Sequence, residues 1–544
     1  MLSFYVLIIL LIVSFVVCVK VSPREKDSKR NIVLIVADDL GWNDVSVHGS
    51  DQVLTPNIDS LGYHGVTLGR YYSNCICTPS RAALLSGKYA YTTGMQGWPL
   101  TGGEDRGLPV THKILPQYLK ELGYATHLVG KWHVGSSREE YLPTKRGFDS
   151  HFGHRLGSID YYEYTYEENW TIGKVSGMNM FRNQTAAWDA EGYATDLYNN
   201  EAISIINSHD ETKPLFLMLA HLAPHSANEG ALLQAPPEVV RSMRHVESPE
   251  RRIFAAMVKK LDDSVGDVVE ALSRKGILNN TIIVFISDNG GMTSGVTVNY
   301  GSNYPLRGIK LSPYEGGVRV NGAIWAPENV ASHLYEGYVH VTDWLPTLLK
   351  AAGRDPPKNI DGHDLWNKIM KNKVSSRSEI VDIDDMQGYA SIISKNYKLI
   401  TGTVFNEYSN YQGKELLGVI GNPPCYIDAI KNSKAYKVFT KMGRSVPIDI
   451  SSVRNALKIE CQKQIKADDV ICYPGNGTVC LYNIKKDPCE TTDLSKEYPE
   501  LVNKMLKVLN IEKKRVIPRV PTIRQPRANP VYFNYTWDVF VDVV

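Results

Sequence analysis

The chain has 544 residues, of which 60 are Lys or Arg and 58 are Asp or Glu, leaving a formal net charge of +2. That balance creates no field that would draw nucleic acid or a polyanionic surface, and 43% hydrophobic with 22% charged residues excludes extended disorder. The length exceeds one small core and fits a two-domain enzyme with a large α/β unit.

The first feature is an apolar stretch, Phe4 to Val19, broken only by Ser14 and followed by the charge-dense run Lys20 to Arg30. It is shorter than the roughly 20 residues that span a bilayer, so it predicts a cleaved signal peptide over residues 1–19, with an uncleaved anchor as the alternative. No stable membrane span is expected after cleavage, and the route is secretory, to a secreted or lysosomal destination. From Asn31 onward, short runs rich in Val, Ile, Leu or Phe alternate with helical segments: Asn31 to Ala37, Tyr124 to Val129, Pro214 to Ala220, Thr281 to Ile286 and Gly322 to Trp325. This pattern predicts an α/β domain whose large, mostly parallel sheet is sandwiched by helices. Within Pro249 to Lys275, Phe254, Met257, Leu261, Val265, Val268 and Leu272 recur at steps of three or four and form one apolar helical stripe.

Asp355-Pro356-Pro357-Lys358 opens a boundary region between about 355 and 385. The chain divides into a catalytic domain over 30–370 and a smaller domain over 371–544 with an antiparallel sheet. In that smaller domain, Ala390 to Thr403 and Gly477 to Ile484 read as strands and Tyr498 to Leu509 as a helix. The tail from Arg515 to Arg527, with three Pro and four Arg, should lack regular structure and wrap the surface.

Cys425, Cys461, Cys472, Cys480 and Cys489 crowd the last quarter of the chain and read as local disulfides, the Cys480 to Cys489 interval suiting a loop staple. Cys75 is the sixth candidate and the pairing stays open. Asn-x-Ser/Thr acceptors at Asn169, Asn183, Asn279, Asn476 and Asn534 agree with export.

In α/β sheets, ligands sit beyond the carboxyl ends of the strands. Asn31 to Ala37 runs into Asp38-Asp39, Thr281 to Ser287 into Asp288-Asn289, Tyr124 to Val129 into Gly130-Lys131-Trp132-His133, and Pro214 to Ala220 leads through His221 to His225. Three carboxylates and an amide on adjacent strand ends would make an oxygen-rich cup suited to a hard cation such as Ca²⁺. Each acidic pair taken alone could equally cap a turn. In Cys77-Thr78-Pro79-Ser80-Arg81-Ala82-Ala83-Leu84-Leu85-Ser86-Gly87, Thr78 suits a helix cap and Pro79 the first helical position, which places Cys77 at a helix N-terminus where free N–H groups favour an anion. The alternatives are a buried thiol or a pair with Cys75.

That stretch matches C-x-P-S-R-x-x-x-L-x-G at Cys77, Pro79, Ser80, Arg81, Leu85 and Gly87. A second motif, G-Y-x-T-x-x-x-G-K-x-H, is matched from Gly123 through Lys131 to His133. By these two signatures the chain resembles the formylglycine-dependent sulfatases of the alkaline phosphatase-like superfamily, over about Asn31 to Gly353. Within the family it looks most similar to the arylsulfatase B, or N-acetylgalactosamine-4-sulfatase, type. Asp38-Asp39-Leu-Gly-Trp-Asn-Asp44, Leu142 to Asp149, Pro305 to Lys310 and Asp343 to Leu348 carry that second likeness.

The resemblance implies that Cys77 is oxidised to formylglycine by a formylglycine-generating enzyme, and that Asp38, Asp39, Asp288 and Asn289 bind one Ca²⁺ together with the modified residue 77. It implies that Arg81 steadies the formylglycine hydrate and that Lys131, His133, His225 and Lys310 surround the sulfate. His133 would serve release of sulfate, and His225 with Lys310 the leaving oxygen. One departure is Ser226-Ala227 after His225, where arylsulfatase B-like chains usually continue Glu-Pro. The implied substrate is a sulfated carbohydrate or a small sulfate ester: the 4-sulfate of N-acetylgalactosamine in glycosaminoglycans, an aryl sulfate, or a sulfated plant metabolite. Pocket walls are expected from Gly97 to Gly107, Tyr161 to Asn183 and Ala227 to Val246. The competing readings are a phosphoester or phosphonate hydrolase of the same superfamily and a secreted binding glycoprotein that has lost activity.

Overall fold

The computed structural model describes residues 29–295, 297–328, 332–410, 421, 423–444, 449–461, 472–475 and 477–542. The expected signal segment and the acceptor at Asn476 lie outside the described residues. The large sheet comprises β1 (Asn31–Ala37), β2 (Val66–Leu68), β3 (Ala125–Gly130), β4 (Ser150–Gly153), β5 (Phe181–Arg182), β6 (Thr185–Ala186), β7 (Leu215–Ala220), β8 (Thr281–Ser287), β9 (Gly322–Trp325) and β10 (His333–Tyr335). The helices that cover it include α1 (Pro56–Tyr63), α2 (Cys77–Ser86), α3 (Ala194–Ser208), α4 (Pro249–Lys275) and α5 (Trp344–Ala351). Strand order is β10-β2-β9-β8-β1-β7-β3-β4-β5-β6. The centre is parallel, β1 pairing with β7 and β8 and β7 with β3, whereas β9 runs antiparallel to β8.

The central strands are apolar at nearly every position because both faces of the sheet are covered. Ile32, Leu34 and Val36 of β1 pack with Ala82 to Leu85 of α2 and Leu345, Leu348 and Leu349 of α5. Val33, Ile35 and Ala37 face the opposite layer, built from α3 and α4. The six residues of the α4 stripe are all buried there. Ser248 accepts a hydrogen bond from Arg251 N at the start of α4, and Gly276, at φ 82°, ends the helix in the left-handed region.

The smaller sheet is antiparallel, in the order β11 (Glu379–Asp384), β12 (Tyr389–Ser394), β13 (Tyr397–Gly402) and β14 (Val479–Asn483). The stretch 390–403, expected as strand, is a hairpin: Lys395 turns at φ 55° and breaks the run. One face of this sheet carries α6 (Pro499–Lys513), through Met505 and Leu509. The other presents Ile393, Ile400 and Tyr482 to a cluster that includes Cys77. Between β13 and β14 the chain returns to the large unit, where Tyr426 OH lies 2.5 Å from Tyr63 OH and Phe439 stacks on Trp325.

The disulfides are Cys461–Cys489 and Cys472–Cys480, so the expected Cys480 to Cys489 staple does not form. Cys480 sits inside β14 and bonds back to Cys472, while Cys489 reaches Cys461; Cys75 and Cys425 are free. Among the described residues no helix is long and apolar enough to cross a membrane.

Candidate active site

Four neighbouring strands, β8, β1, β7 and β3, end at one edge of the sheet, and the expected polar residues follow them there. Asp288 and Asn289 leave β8, Asp38 and Asp39 leave β1, His225 lies beyond β7, and Lys131 and His133 leave β3. The chain turns sharply at this edge. Asp39 and His133 hold φ of 59° and 58°, and a Cβ on Gly130, at φ 99°, would stand 1.9 Å from Ala220 O. Left-handed backbone at non-glycine residues costs of order 1–3 kcal/mol each and persists where surroundings over-determine it, commonly at functional sites.

α2 delivers Cys77 and Arg81 to the same edge. The helix starts at Cys77, and Thr78 is not its cap. Instead, Thr78 Oγ1 donates to His133 O at 3.2 Å and accepts from Leu100 N at 3.1 Å, tying the helix start to two neighbouring loops.

Three carboxylates meet three cations below the cleft. Lys131 Nζ donates to Asp38 at 2.5 Å, Arg81 donates to Asp288 Oδ2 through Nη2 at 2.8 Å and Nε at 3.1 Å, and Lys310 Nζ donates to Asp39 at 2.8 Å. His225 Nε2 lies 3.2 Å from Lys310 Nζ and 3.5 Å from Asp39. All these groups are buried. Burial works to raise the Asp38 carboxyl, but Lys131, His225 and Arg81 outweigh it and hold Asp38 well below the ordinary carboxylate range. Burial and the Asp38 charge push Asp288 upward. Burial works against the Lys310 charge, yet Asp39 holds the ammonium above its ordinary range. Burial pushes His225 down to about 4 and, with Lys131, puts His133 well below the imidazole range, which favours the neutral form of each ring. Burial also raises the Cys77 thiol, against the pull of Lys131 and Lys310. An unmodified Cys77 is therefore a weak nucleophile.

Two buried acceptors in this group, Asp38 Oδ1 and Asn289 Oδ1, have no hydrogen-bond partner among the described residues. Asp38, Asp39 and His225 each offer a ligand atom within 4.8 Å of the others, so the cluster can hold a metal ion. Oxygen atoms without donors, on residues at two adjacent strand ends, fit a hard cation better than a soft one.

Above this floor opens a cleft of about 260 Å³, and Cys77, His133, His225 and Lys310 reach it. Arg81 and Lys131 are not among its lining residues and lie on the carboxylates instead. Each segment expected to wall the pocket contributes: Trp98 to Thr101, Tyr166 to Asn169 with Lys174, and Ala227 to Glu229 with Leu232. Sequence reasoning missed two supports. Asn299 Nδ2 donates to Asp39 O and Pro224 O, fixing the turns that carry Asp39 and His225. The Glu168 carboxylate, buried in the wall, accepts from Gly102 N, Tyr166 OH and Trp170 Nε1 and pairs with Arg524. Asn299 sits in a Gly/Ser/Asn-rich loop and Glu168 in a polar strand, so neither carries a local signal.

The chain matches the Sulfatase family model over residues 30–354. It is 37% identical over 523 residues to Arylsulfatase J of Mus musculus, covering 94% of this chain and 80% of that protein. It is 31% identical over 361 residues to N-acetylgalactosamine-6-sulfatase of Homo sapiens, covering 64% of this chain and 67% of that protein. The crystal structure of Ps i-CgsB in complex with k-i-k-neocarrahexaose superposes with a TM-score of 0.70 at 26% identity, covering 94% of this chain and all of that one. The fold and the site define a hydrolase of sulfuric esters. The chain belongs to the sulfatase family.

Proposed function

We propose that the protein hydrolyses a sulfate monoester of a sugar or aryl alcohol at residue 77, with the groups around the cleft divided between attack and departure. The observation that carries this reading is the junction of Cys77, the imidazoles of His133 and His225 and the Lys310 side chain at the mouth of a buried charge network. Formylglycine at residue 77 would supply a hydrated aldehyde with two hydroxyls on one carbon, and a Ca²⁺ held by Asp38, Asp39, residue 77, Asp288 and Asn289 would supply positive charge beside the ester oxygens.

The remaining chemistry is assigned to the chain's own side chains. His225 Nδ1 lies 2.6 Å from Ser226 O, which favours the tautomer whose Nε2 accepts from Lys310. Lys310, protonated, is assigned as the proton donor to the leaving oxygen, and His225 Nε2 accepts from that ammonium and orients it there. His133 Nε2 lies 3.0 Å from Leu100 O, and its Nδ1 is buried without a partner. That free nitrogen suits a base for the hydroxyl proton of residue 77. Lys131 and Arg81 hold Asp38 ionised, and Arg81 fixes Asp288 in place through two hydrogen bonds.

The finer assignments follow in the same spirit. A sulfated N-acetylgalactosamine is the proposed sugar substrate, supported by a relative named for the 6-sulfate of that sugar, while the 4-position rests on the sequence resemblance alone; aryl sulfates are the second reading, supported by the aromatic Trp98 at the cleft. Residues 30–370 form the proposed catalytic domain and 371–544 the accessory part. Secretion or lysosomal delivery after loss of residues 1–19, and conversion of Cys77 by a formylglycine-generating enzyme, complete the proposal. Protein made in a eukaryotic secretory host should hydrolyse 4-nitrophenyl sulfate in preference to 4-nitrophenyl phosphate, and Cys77→Ser should be inactive. A fully active Cys77→Ser enzyme, or a preference for the phosphate, would refute it.

A further inference from the structure

The cleft changes character between floor and mouth. At the floor the Lys310 ammonium faces the space beside Cys77, as one anionic group would require. The side walls contain three carboxylates, Glu167, Glu168 and Glu229, and one cation, Lys174. Lys174 pairs with Glu167 at 2.5 Å. Glu168 is satisfied by the wall itself, whereas Glu229 is exposed and makes no ion pair among the described residues. Among the described residues the one wall cation thus already has a carboxylate partner, and a second anion placed there would face Glu229.

The same mouth carries an aromatic platform. Trp98 is 43% exposed although its backbone is clamped: its carbonyl accepts from Arg106 Nη2 at 3.2 Å and from Arg519 Nη2 at 3.1 Å. A large, immobilised aromatic face open to solvent at a pocket is suited to stack on a flat or pyranose ring.

From these two features we infer that the cleft selects an uncharged ring bearing a single sulfate and discriminates against esters with a second anionic group next to that ring. The inference rests on the hydrolase reading above and narrows its substrate class. The probes are 4-nitrophenyl sulfate, N-acetylgalactosamine 4-sulfate, and a disaccharide joining that sulfated sugar to a uronate, assayed on enzyme whose residue 77 has been verified by mass spectrometry as converted. The free sugar should exceed the uronate disaccharide in kcat/KM by about ten-fold at low salt, and the gap should shrink as salt screens it. Glu229→Gln should narrow that ratio about five-fold. Trp98→Ala should raise KM about ten-fold for both uncharged-ring substrates. Turnover of the disaccharide equal to or above that of the free sugar, or a ratio unmoved by Glu229→Gln, would overturn the selectivity while leaving the hydrolase reading intact. Converted enzyme that cleaves none of the three esters would overturn the hydrolase reading itself.

Discussion

The floor and the walls of the cleft are held in place by different parts of the chain. Apart from Cys77 and Arg81, which α2 delivers, and Lys310, the floor residues leave the ends of four adjacent strands, so their positions follow from the sheet register: Val36 stands beside both Ala220 and Ile286, and Ala220 beside Gly130. The walls are loops and a two-stranded hairpin, Thr165–Trp170 with Gly173–Met178, and the far C-terminus ties down the hairpin and the Gly103 loop. Trp537 Nε1 donates to Tyr166 O, Trp537 N to Met178 O, and Gln525 N to Gly103 O. The buried Glu168 carboxylate joins the hairpin, the Gly102 loop and the exposed Arg524. Chemistry thus rests largely on the buried centre of the large sheet, and substrate shape in part on segments tied to a distant tail.

This contrast predicts that floor substitutions abolish turnover while wall substitutions mainly change KM. The largest effect is expected at Arg81. Arg81→Ala strips Asp288 of its cation and leaves a buried carboxylate uncompensated, which should cost about 3–5 kcal/mol of stability and remove activity. Thermal denaturation with an ester assay checks both. Next, Asp288→Asn keeps the shape of the side chain but withdraws a charge from the proposed calcium site. Calcium affinity should fall roughly 100-fold, read by metal titration of the folded protein.

Wall changes should be milder. Glu168→Gln places an amide N–H₂ where a carboxylate oxygen now accepts, at about 1–3 kcal/mol, so KM should rise about ten-fold with a smaller change in kcat. Equal losses in both would mean that the wall reaches into the chemistry. Trp537→Ala should have the smallest kinetic effect, a KM increase of about three-fold, with faster amide exchange confined to Thr165 to Met178. Exchange that accelerates throughout the large sheet would show instead that the tail is part of the global core.

The same division explains what could be read from the sequence. Asn31 to Ala37, Gly322 to Trp325 and the helix Pro249 to Lys275 match the structure residue for residue, because two-sided burial and the 3.6-residue stripe leave strong local patterns. The strand-end carboxylates stood out for the same reason, as polar residues after apolar runs. Lys310 carried no such mark, and its candidacy came only from the family resemblance. The Glu168 knot was invisible, since it joins positions 102, 168 and 524 without periodicity or motif. The cysteine pairing was likewise beyond spacing: β14 places Cys480 opposite Cys472 rather than toward Cys489.

The most direct test of the account is the chemical state of residue 77 in active enzyme. Mass spectrometry of the peptide spanning Cys77 to Arg81, from protein made in a eukaryotic secretory host, should show an aldehyde in place of the thiol, in proportion to specific activity across preparations. Full activity from preparations whose residue 77 is an unmodified or disulfide-bonded cysteine would contradict it.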